Sequence, residues 1–124
     1  MPLILVIEDS LHTRREIRDI LEQEGYTIAE AENGVKGIQL ATSEAPDCIL
    51  LDLIMPDIDG IKILKLIHEQ KPHIPVIVVS AHCQEAVRTQ CLQLGASACI
   101  NKPPSAEELR YAVHKVLSSP GKHS

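Results

Sequence analysis

Cys48-Ile-Leu-Leu-Asp52-Leu-Ile-Met-Pro-Asp57-Ile-Asp59-Gly60 is an apolar run closed by a carboxylate and followed at once by a turn. A continuous Ile/Leu run bounded by turn signals predicts a strand buried on both faces. Asp52 then stands at the carboxyl end of a core strand, where a charge without partners is costly. Leu3-Ile-Leu-Val-Ile7 follows the same plan and ends in Glu8-Asp9. Two buried strands that both finish in acid point to a shared cation and a reaction centre.

Strand-like runs recur outward from this stretch, at 3–8, 26–31, 48–52, 75–80 and 97–101. Segments of about a dozen residues with helical apolar spacing separate them. Ser10 is placed to cap the first helix, which carries Ile17, Ile20 and Leu21 inward. Asn33-Gly34 opens the second, and Pro46 follows its end. Asp59-Gly60 starts the third, with Ile63, Leu64 and Ile67 as its apolar stripe. The fourth runs to Gly95, a residue suited to helix termination. Ser105-Ala-Glu-Glu108 is a capping-box pattern opening the fifth, which buries Leu109, Val113, Val116 and Leu117. Five alternations of strand and helix predict an α/β fold with a parallel sheet sandwiched between helices.

Length and composition bound the rest. The 124 residues suffice for one domain, expected over 1–117, with a polar tail at 118–124. There is no Phe or Trp, and the two tyrosines are Tyr26 and Tyr111, so the core must be built from Ile, Leu, Val and Ala. A net charge of -5 without a basic run argues against direct binding to nucleic acid. No segment has the length of a membrane span, and the N-terminus has no signal-peptide pattern, so no membrane association is expected. The four cysteines (Cys48, Cys83, Cys91, Cys99) form no CxxC pair. Cys48 and Cys99 fall in strand runs, where cysteine usually behaves as a small hydrophobe, and Cys83 beside His82 does not make a metal site. The expectation is a reducing, cytoplasmic compartment.

The strand ends collect an unusual inventory: Glu8, Asp9 and Asp52, with Ser80 and Lys102 from the last two runs. Acids gathered in one cleft repel each other, and a hard divalent cation such as Mg2+ relieves this. A carboxylate can also act as nucleophile toward phosphorus, with an ammonium and a hydroxyl steadying the phosphoryl oxygens. Each residue alone has a blander reading. Glu8 and Asp9 could be helix-start acids, Ser80 a strand-end residue, and Lys102-Pro103 a turn. Asp57 and Asp59 are assigned to the turn and cap before the third helix. His12, His68, His73, His114 and His123 show no ligand spacing and read as solvated.

Taken together, Glu8-Asp9, Asp52 in Leu-Leu-Asp, Met55-Pro56-Asp57-Ile58-Asp59-Gly60, Ser80-Ala81 and Lys102-Pro103 resemble the receiver domain of two-component response regulators, over residues 3–117. The resemblance implies a doubly wound, flavodoxin-like five-stranded sheet of order 2-1-3-4-5 with helices on both faces. It implies that Asp52 accepts a phosphoryl group from a sensor histidine kinase or a histidine phosphotransfer protein. Asp9, Asp52 and the backbone carbonyl of Ile54 would hold Mg2+, with Glu8 acting mainly through bound water. Lys102, joined to Pro103 by a cis bond, would pair with the phosphoryl group. Ser80 would swing toward it and draw in the loop after the fourth strand.

Such a module is regulatory rather than an enzyme on other substrates, apart from supporting its own phosphoryl transfer and hydrolysis. His82 and Ile54 flank the expected water entry. Because the chain stops just after the fifth helix, output is expected through a separate effector on the face formed by the fourth helix, fifth strand and fifth helix. A phosphorelay intermediate is the alternative, and a small Mg2+-dependent phosphatase using an aspartyl phosphate is a further one. A flavin carrier on a similar fold is disfavoured, because Glu8-Asp9 stands where a phosphate-cradling loop would be needed. In one respect the chain departs from the family. Where the family commonly has Tyr or Phe, three residues before the lysine, this chain has Cys99, so output is expected through the Ser80–His82 loop and the fourth helix.

Overall fold

Ten elements alternate along the chain in the computed structural model, which describes residues 1–118. They are β1 (Leu3–Ile7), α1 (Leu11–Glu22), β2 (Thr27–Ala31), α2 (Gly34–Ser43), β3 (Cys48–Leu51), α3 (Gly60–Gln70), β4 (Val76–Ser80), α4 (Glu85–Gln93), β5 (Ala98–Asn101) and α5 (Ala106–Leu117). Every expected element is present, with each strand one residue shorter than the apolar run that predicted it. The lost residues are ladder ends. Glu8 and Asp52 still donate backbone hydrogen bonds to Ala31 and Ile7, each at 3.0 Å, before the chain turns away. The expected tail lies outside the described residues beyond Ser118, whose N–H donates to His114 O and closes α5.

The sheet is wholly parallel, in the order β2-β1-β3-β4-β5. Burial on both faces explains the near-continuous apolar runs of its central strands. Alternating side chains feed two cores. Leu5, Ile7, Ile49, Leu51, Val76 and Val78 pack against α2, α3 and α4, with Ile63, Leu64 and Ile67 supplying most of the helical side. Ile4, Val6, Leu50, Ile77 and Val79 pack on the other face against α1 and α5, meeting Ile17, Leu21, Leu109 and Val113. Full burial of each such aliphatic side chain is worth about 1.5–3 kcal/mol, which is how a core without Phe or Trp holds two helical layers.

The expected caps are present. Ser10, Asn33, Asp59 and Ser105 each accept a hydrogen bond from the first turn they precede, and Ser105 with Glu108 completes the capping box. Gly95 ends α4 at a φ of +108°, with Ala96 N–H bonded to Cys91 O and Gly95 N–H to Leu92 O, a Schellman closure. Gly60 has a reason that the helix-start reading did not contain. A Cβ there would lie 2.3 Å from the Leu53 Cα, so only glycine lets the loop after β3 fold back onto its own beginning.

Register brings the acidic strand ends together. Ile7 pairs with Leu51 and Leu51 with Val78, so Glu8 and Asp52 leave neighbouring strands side by side. Arg14, a buried residue of α1, braces this edge. Its Nη1 donates to the Glu8 carbonyl oxygen and its Nε to Glu30 of β2, both at 2.8 Å, while Arg18 holds the other Glu30 oxygen at 2.8 Å. Burial opposes the Glu30 charge, but the bonds from Arg18 and Arg14 outweigh it and hold the carboxyl below its usual pKa.

Arg14→Met is therefore expected to cost about 2 kcal/mol in urea unfolding, between the values for exposed and fully buried pairs. Because the folded pKa of Glu30 is depressed, its contribution is complete above the ordinary value of 4.5 and is lost as pH falls through the folded pKa. The gap between wild type and variant should narrow on acidification below 4.5. A gap that stays constant with pH would remove Glu30 from this account.

Candidate functional site

Three short segments converge beyond the carboxyl ends of β1, β3 and β5. One ligand atom from each of Glu8, Asp9 and Asp52 lies within 4.8 Å of the others. Glu8 and Asp52 are nearly inaccessible, at 2% and 5% exposure, whereas Asp9 faces solvent. Lys102, one residue past β5, reaches into the cluster, its Nζ donating to Glu8 Oε1 at 2.5 Å and to Asp52 Oδ2 at 3.1 Å. The Lys102–Pro103 bond is cis. Two acids are thus braced by one ammonium, and the exposed third carboxylate completes an oxygen-lined mouth suited to a hard cation.

The electrostatics follow from burial. Burial pushes the Glu8 carboxyl above its usual range, and the hydrogen bonds from Lys102 and Ser10 recover only part of the shift. For Lys102, burial acts to lower the pKa, but the hydrogen bond to Glu8 and the charge of Asp52 outweigh it and hold the ammonium above the ordinary lysine value. Lys102 therefore keeps its positive charge at the strand ends across the physiological range.

The loop after β3 wraps the cluster. Asp52 Oδ1 accepts a hydrogen bond from Ile54 N–H at 3.2 Å, which holds residue 54 against the carboxylate, while the Ile54 side chain is exposed. Ser80, the last residue of β4, is fully buried, and its Oγ accepts from His82 N–H at 3.3 Å. Lys102 N–H donates to the Ser80 carbonyl oxygen, so the lysine and the serine share one end of the β4–β5 ladder. His82 is exposed beside them.

Asp57 does more than make a local turn. Its two carboxylate oxygens accept from Gly34 and Val35 N–H at 2.8 and 2.9 Å, anchoring the β3–α3 loop to the N-terminus of α2. These bonds from Val35 and Gly34 lower its pKa. The sequence signal for this was an acid with no helix of its own to cap, since Asp59 already served α3.

The reading of the cysteines needs correction. Cys99, expected with Cys48 to be a small hydrophobe, is joined to Cys83 by a disulfide, because the end of β5 lies against the loop after β4; Cys48 is free and buried as expected, and Cys91 is free and buried as well. Four of the histidines read as solvated (His12, His68, His73 and His114) are exposed, and His123 lies outside the described residues.

Comparison with known proteins agrees with this geometry. The family profile described as "Response regulator receiver domain" matches residues 4–114. The chain is 41% identical over 114 residues to the transcriptional regulatory protein ResD of Bacillus subtilis, covering 92% of this chain but only 47% of that relative, about half its length. It is 34% identical to the chemotaxis protein CheY of the same organism, covering 93% of this chain and 97% of CheY. Among solved structures, a CheY-like receiver domain protein from Methanospirillum hungatei superposes with a TM-score of 0.93 at 26% identity, covering 100% of this chain and 99% of that one.

Removing the ammonium should expose the cost of the buried acids. Lys102→Met is expected to lower stability near neutral pH by about 3 kcal/mol, because Glu8 is left charged and unpaired. The folded pKa of Glu8 already lies above 4.5 and rises further without Lys102, so the penalty is absent below 4.5 and grows as pH rises through the folded value. Urea titrations of both proteins from acid to neutral pH check this, and equal penalties at both ends would refute it.

Proposed function

Since this chain belongs to the response regulator receiver family, we propose that it is a phosphorylation-gated signalling module whose phosphoacceptor is Asp52. The observation that carries the reading is the meeting of Glu8, Asp9 and Asp52 within 4.8 Å, with Lys102 bonded to two of the three. A structural cluster would have little use for a solvent-facing acid beside two buried ones. A cation site open to an incoming phosphoryl group requires that asymmetry.

In this reading a carboxylate oxygen of Asp52 attacks the phosphorus of a phosphohistidine on a histidine kinase or phosphotransfer protein. The P–N bond breaks, and its electron pair returns to the imidazole. Asp9, Asp52 and the Ile54 carbonyl would hold Mg2+, and Glu8 would act through water. The ion, when bound, neutralises charge on the phosphoryl oxygens. Lys102 exchanges its contact with Asp52 for one with the phosphoryl group and keeps its contact with Glu8. Ser80 gives up its bond with His82 N–H, turns its hydroxyl toward a phosphoryl oxygen, and draws the loop with it. The fold's population then shifts toward a signalling conformation. Water attack on the acyl phosphate returns Asp52 to its resting state, with His82 and Ile54 bordering the entry.

Output passes to an effector protein through the α4–β5–α5 face. A groove of about 380 Å³ runs there, bordered by Arg88, Cys99, Ile100, Tyr111 and Lys115, and Tyr111 is well exposed. No helix among the described residues is long and apolar enough to cross a membrane. Taking its phosphoryl group from a histidine kinase or phosphotransfer protein, the module works in this reading in the cytoplasm.

Incubation with acetyl phosphate and Mg2+, followed by intact mass, tests the proposal. The wild type should gain one phosphoryl group, the gain should disappear with a chelator, and Asp52→Asn should gain none. Equal phosphorylation of Asp52→Asn and wild type would assign the acceptor elsewhere. Lys102→Met should still be labelled, but labelling should no longer change the amide exchange of residues 81–84.

A further inference from the structure

The phosphoacceptor reading does not use the Cys83–Cys99 disulfide, which joins the loop that this reading moves to β5, a strand that it leaves in place. Cys83 lies in the short loop between Ser80 and the start of α4, and Cys99 lies in β5 with its α-carbon 5.9 Å away, an ordinary span for a bridge. Asn101 reinforces the link. Its Oδ1 accepts from Cys83 N–H at 3.1 Å, and its Nδ2 donates to the Cys83 carbonyl oxygen at 3.4 Å. Cys83 is thus tied to β5 by one covalent bond and two hydrogen bonds, three residues from the hydroxyl of Ser80.

Beyond the loop the structure is lightly held. Helix α4 contributes one buried residue, Cys91, and its N-cap Gln84 makes no side-chain capping bond. Such a segment belongs to the low-stability end of a fold, so the ties at Cys83 carry much of what fixes the loop. Reduction would not empty the site of suitable neighbours. Both sulfurs sit in the apolar cluster with Val78 and Cys91, where two thiols pack as small hydrophobes. Bridged and open forms can therefore share one fold.

We propose that Cys83 and Cys99 form a reversible thiol–disulfide switch that clamps the loop after β4 when oxidised and releases it when reduced, so that oxidation restrains the response at Asp52. Cys48 and Cys91 remain free thiols, and in the reducing compartment that the phosphoacceptor reading implies a bridge fits a transient regulatory role better than a structural one. The oxidant is a low-molecular-weight disulfide such as glutathione disulfide. One cysteine, as thiolate, attacks it to give a mixed disulfide and one glutathione thiol. The second cysteine then displaces the other glutathione. Two electrons leave the cysteine pair, two glutathione thiols form, and the two cysteine protons end on them. Both cysteines are buried, at 1% and 2% exposure, so exchange proceeds through opening of the loop. Cys48 does not compete, because burial pushes its thiol up to about 12.

The consequence for signalling rests on the Asp52 reading, whereas the clamp does not, and the experiment separates the two. The protein is equilibrated in glutathione buffers from reducing to oxidising, its free thiols are alkylated in denaturant, and the adducts are counted by intact mass. Four alkylated cysteines are expected in the reducing buffer and two in the oxidising one, with peptides mapping the blocked pair to Cys83 and Cys99. Amide exchange of residues 81–84 should be slower in the oxidised form. Phosphoryl uptake from acetyl phosphate with Mg2+ should be about fivefold slower or more, at or above the low end of ordinary coupling between sites. Cys83→Ser should behave as the reduced form in every buffer, and Cys48→Ala should respond as wild type.

Four free thiols throughout, a bridge that does not reopen under reduced glutathione, or unchanged exchange at 81–84 would each overturn the clamp. Equal uptake by the two redox forms would overturn its link to signalling. If neither form takes up phosphoryl, the Asp52 reading and that link fall together, and the exchange comparison alone decides the clamp.

Discussion

The structure turns on a charge imbalance held at the carboxyl end of a parallel sheet. Glu8 and Asp52 are almost withdrawn from water, and the Lys102 ammonium lies between them, bonded to both. Burying such carboxylates costs several kcal/mol each unless they are paired. Much of the surrounding fold can be understood as what makes this arrangement tolerable. Parallel register sets β1 and β3 so that their acids emerge together. Arg14 secures the Glu8 backbone from α1. Asp57 and Gly60 hold the intervening loop close, one through hydrogen bonds to α2 and the other through the absence of a side chain.

A stable protein could have filled this end of the sheet with aliphatic side chains. The acids are instead placed where a ligand can change their balance. One ammonium partners two of them, and the third, Asp9, faces solvent. A site of this kind responds to added charge, because Lys102 has two competing partners and can favour either. Ser80 lies on the same ladder end, its hydroxyl engaged by the loop that follows it. A charge change at Asp52 therefore has a short physical route to the backbone of residues 81–84.

Much of this was legible in the chain because the decisive signals are local. The buried strands announce themselves as Ile/Leu/Val runs, the helix starts as Ser10, Asn33, Asp59 and Ser105, and the site as acids closing two of those runs. What stayed hidden is pairing between distant segments. Arg14 and Glu30 each look like an ordinary surface charge until α1 packs beside β2. Asp57 reads as a turn residue until α2 brings its N-terminus within 3 Å. The sequence separation of 16 between Cys83 and Cys99 hides their meeting, because neither spacing nor composition reveals which side chain of β5 faces the loop after β4. Knowing that β4 and β5 are neighbours narrows the question, but register answers it: Ser80 pairs with Asn101, so Cys99 lies two residues back along β5 and on the same face of the strand as Asn101, the two residues that hold Cys83.

That geometry also bears on the missing aromatic residue. A bulky ring three residues before Lys102 could report the state of Ser80 by moving into or out of the space beside β5. Cys99 has no such reach, and its side chain points into the apolar cluster under α4. It is instead bonded to Cys83 in the loop after β4. A ring senses the loop through packing, which any small shift can disturb, whereas a covalent link constrains the loop directly and can be made or broken by chemistry independent of phosphorus. Replacing the first device with the second keeps the same two segments in communication but changes what they answer to. With the bridge closed, the Ser80 hydroxyl must turn within a loop tethered at its third residue beyond β4. With the bridge open, only the Asn101 hydrogen bonds remain to resist it.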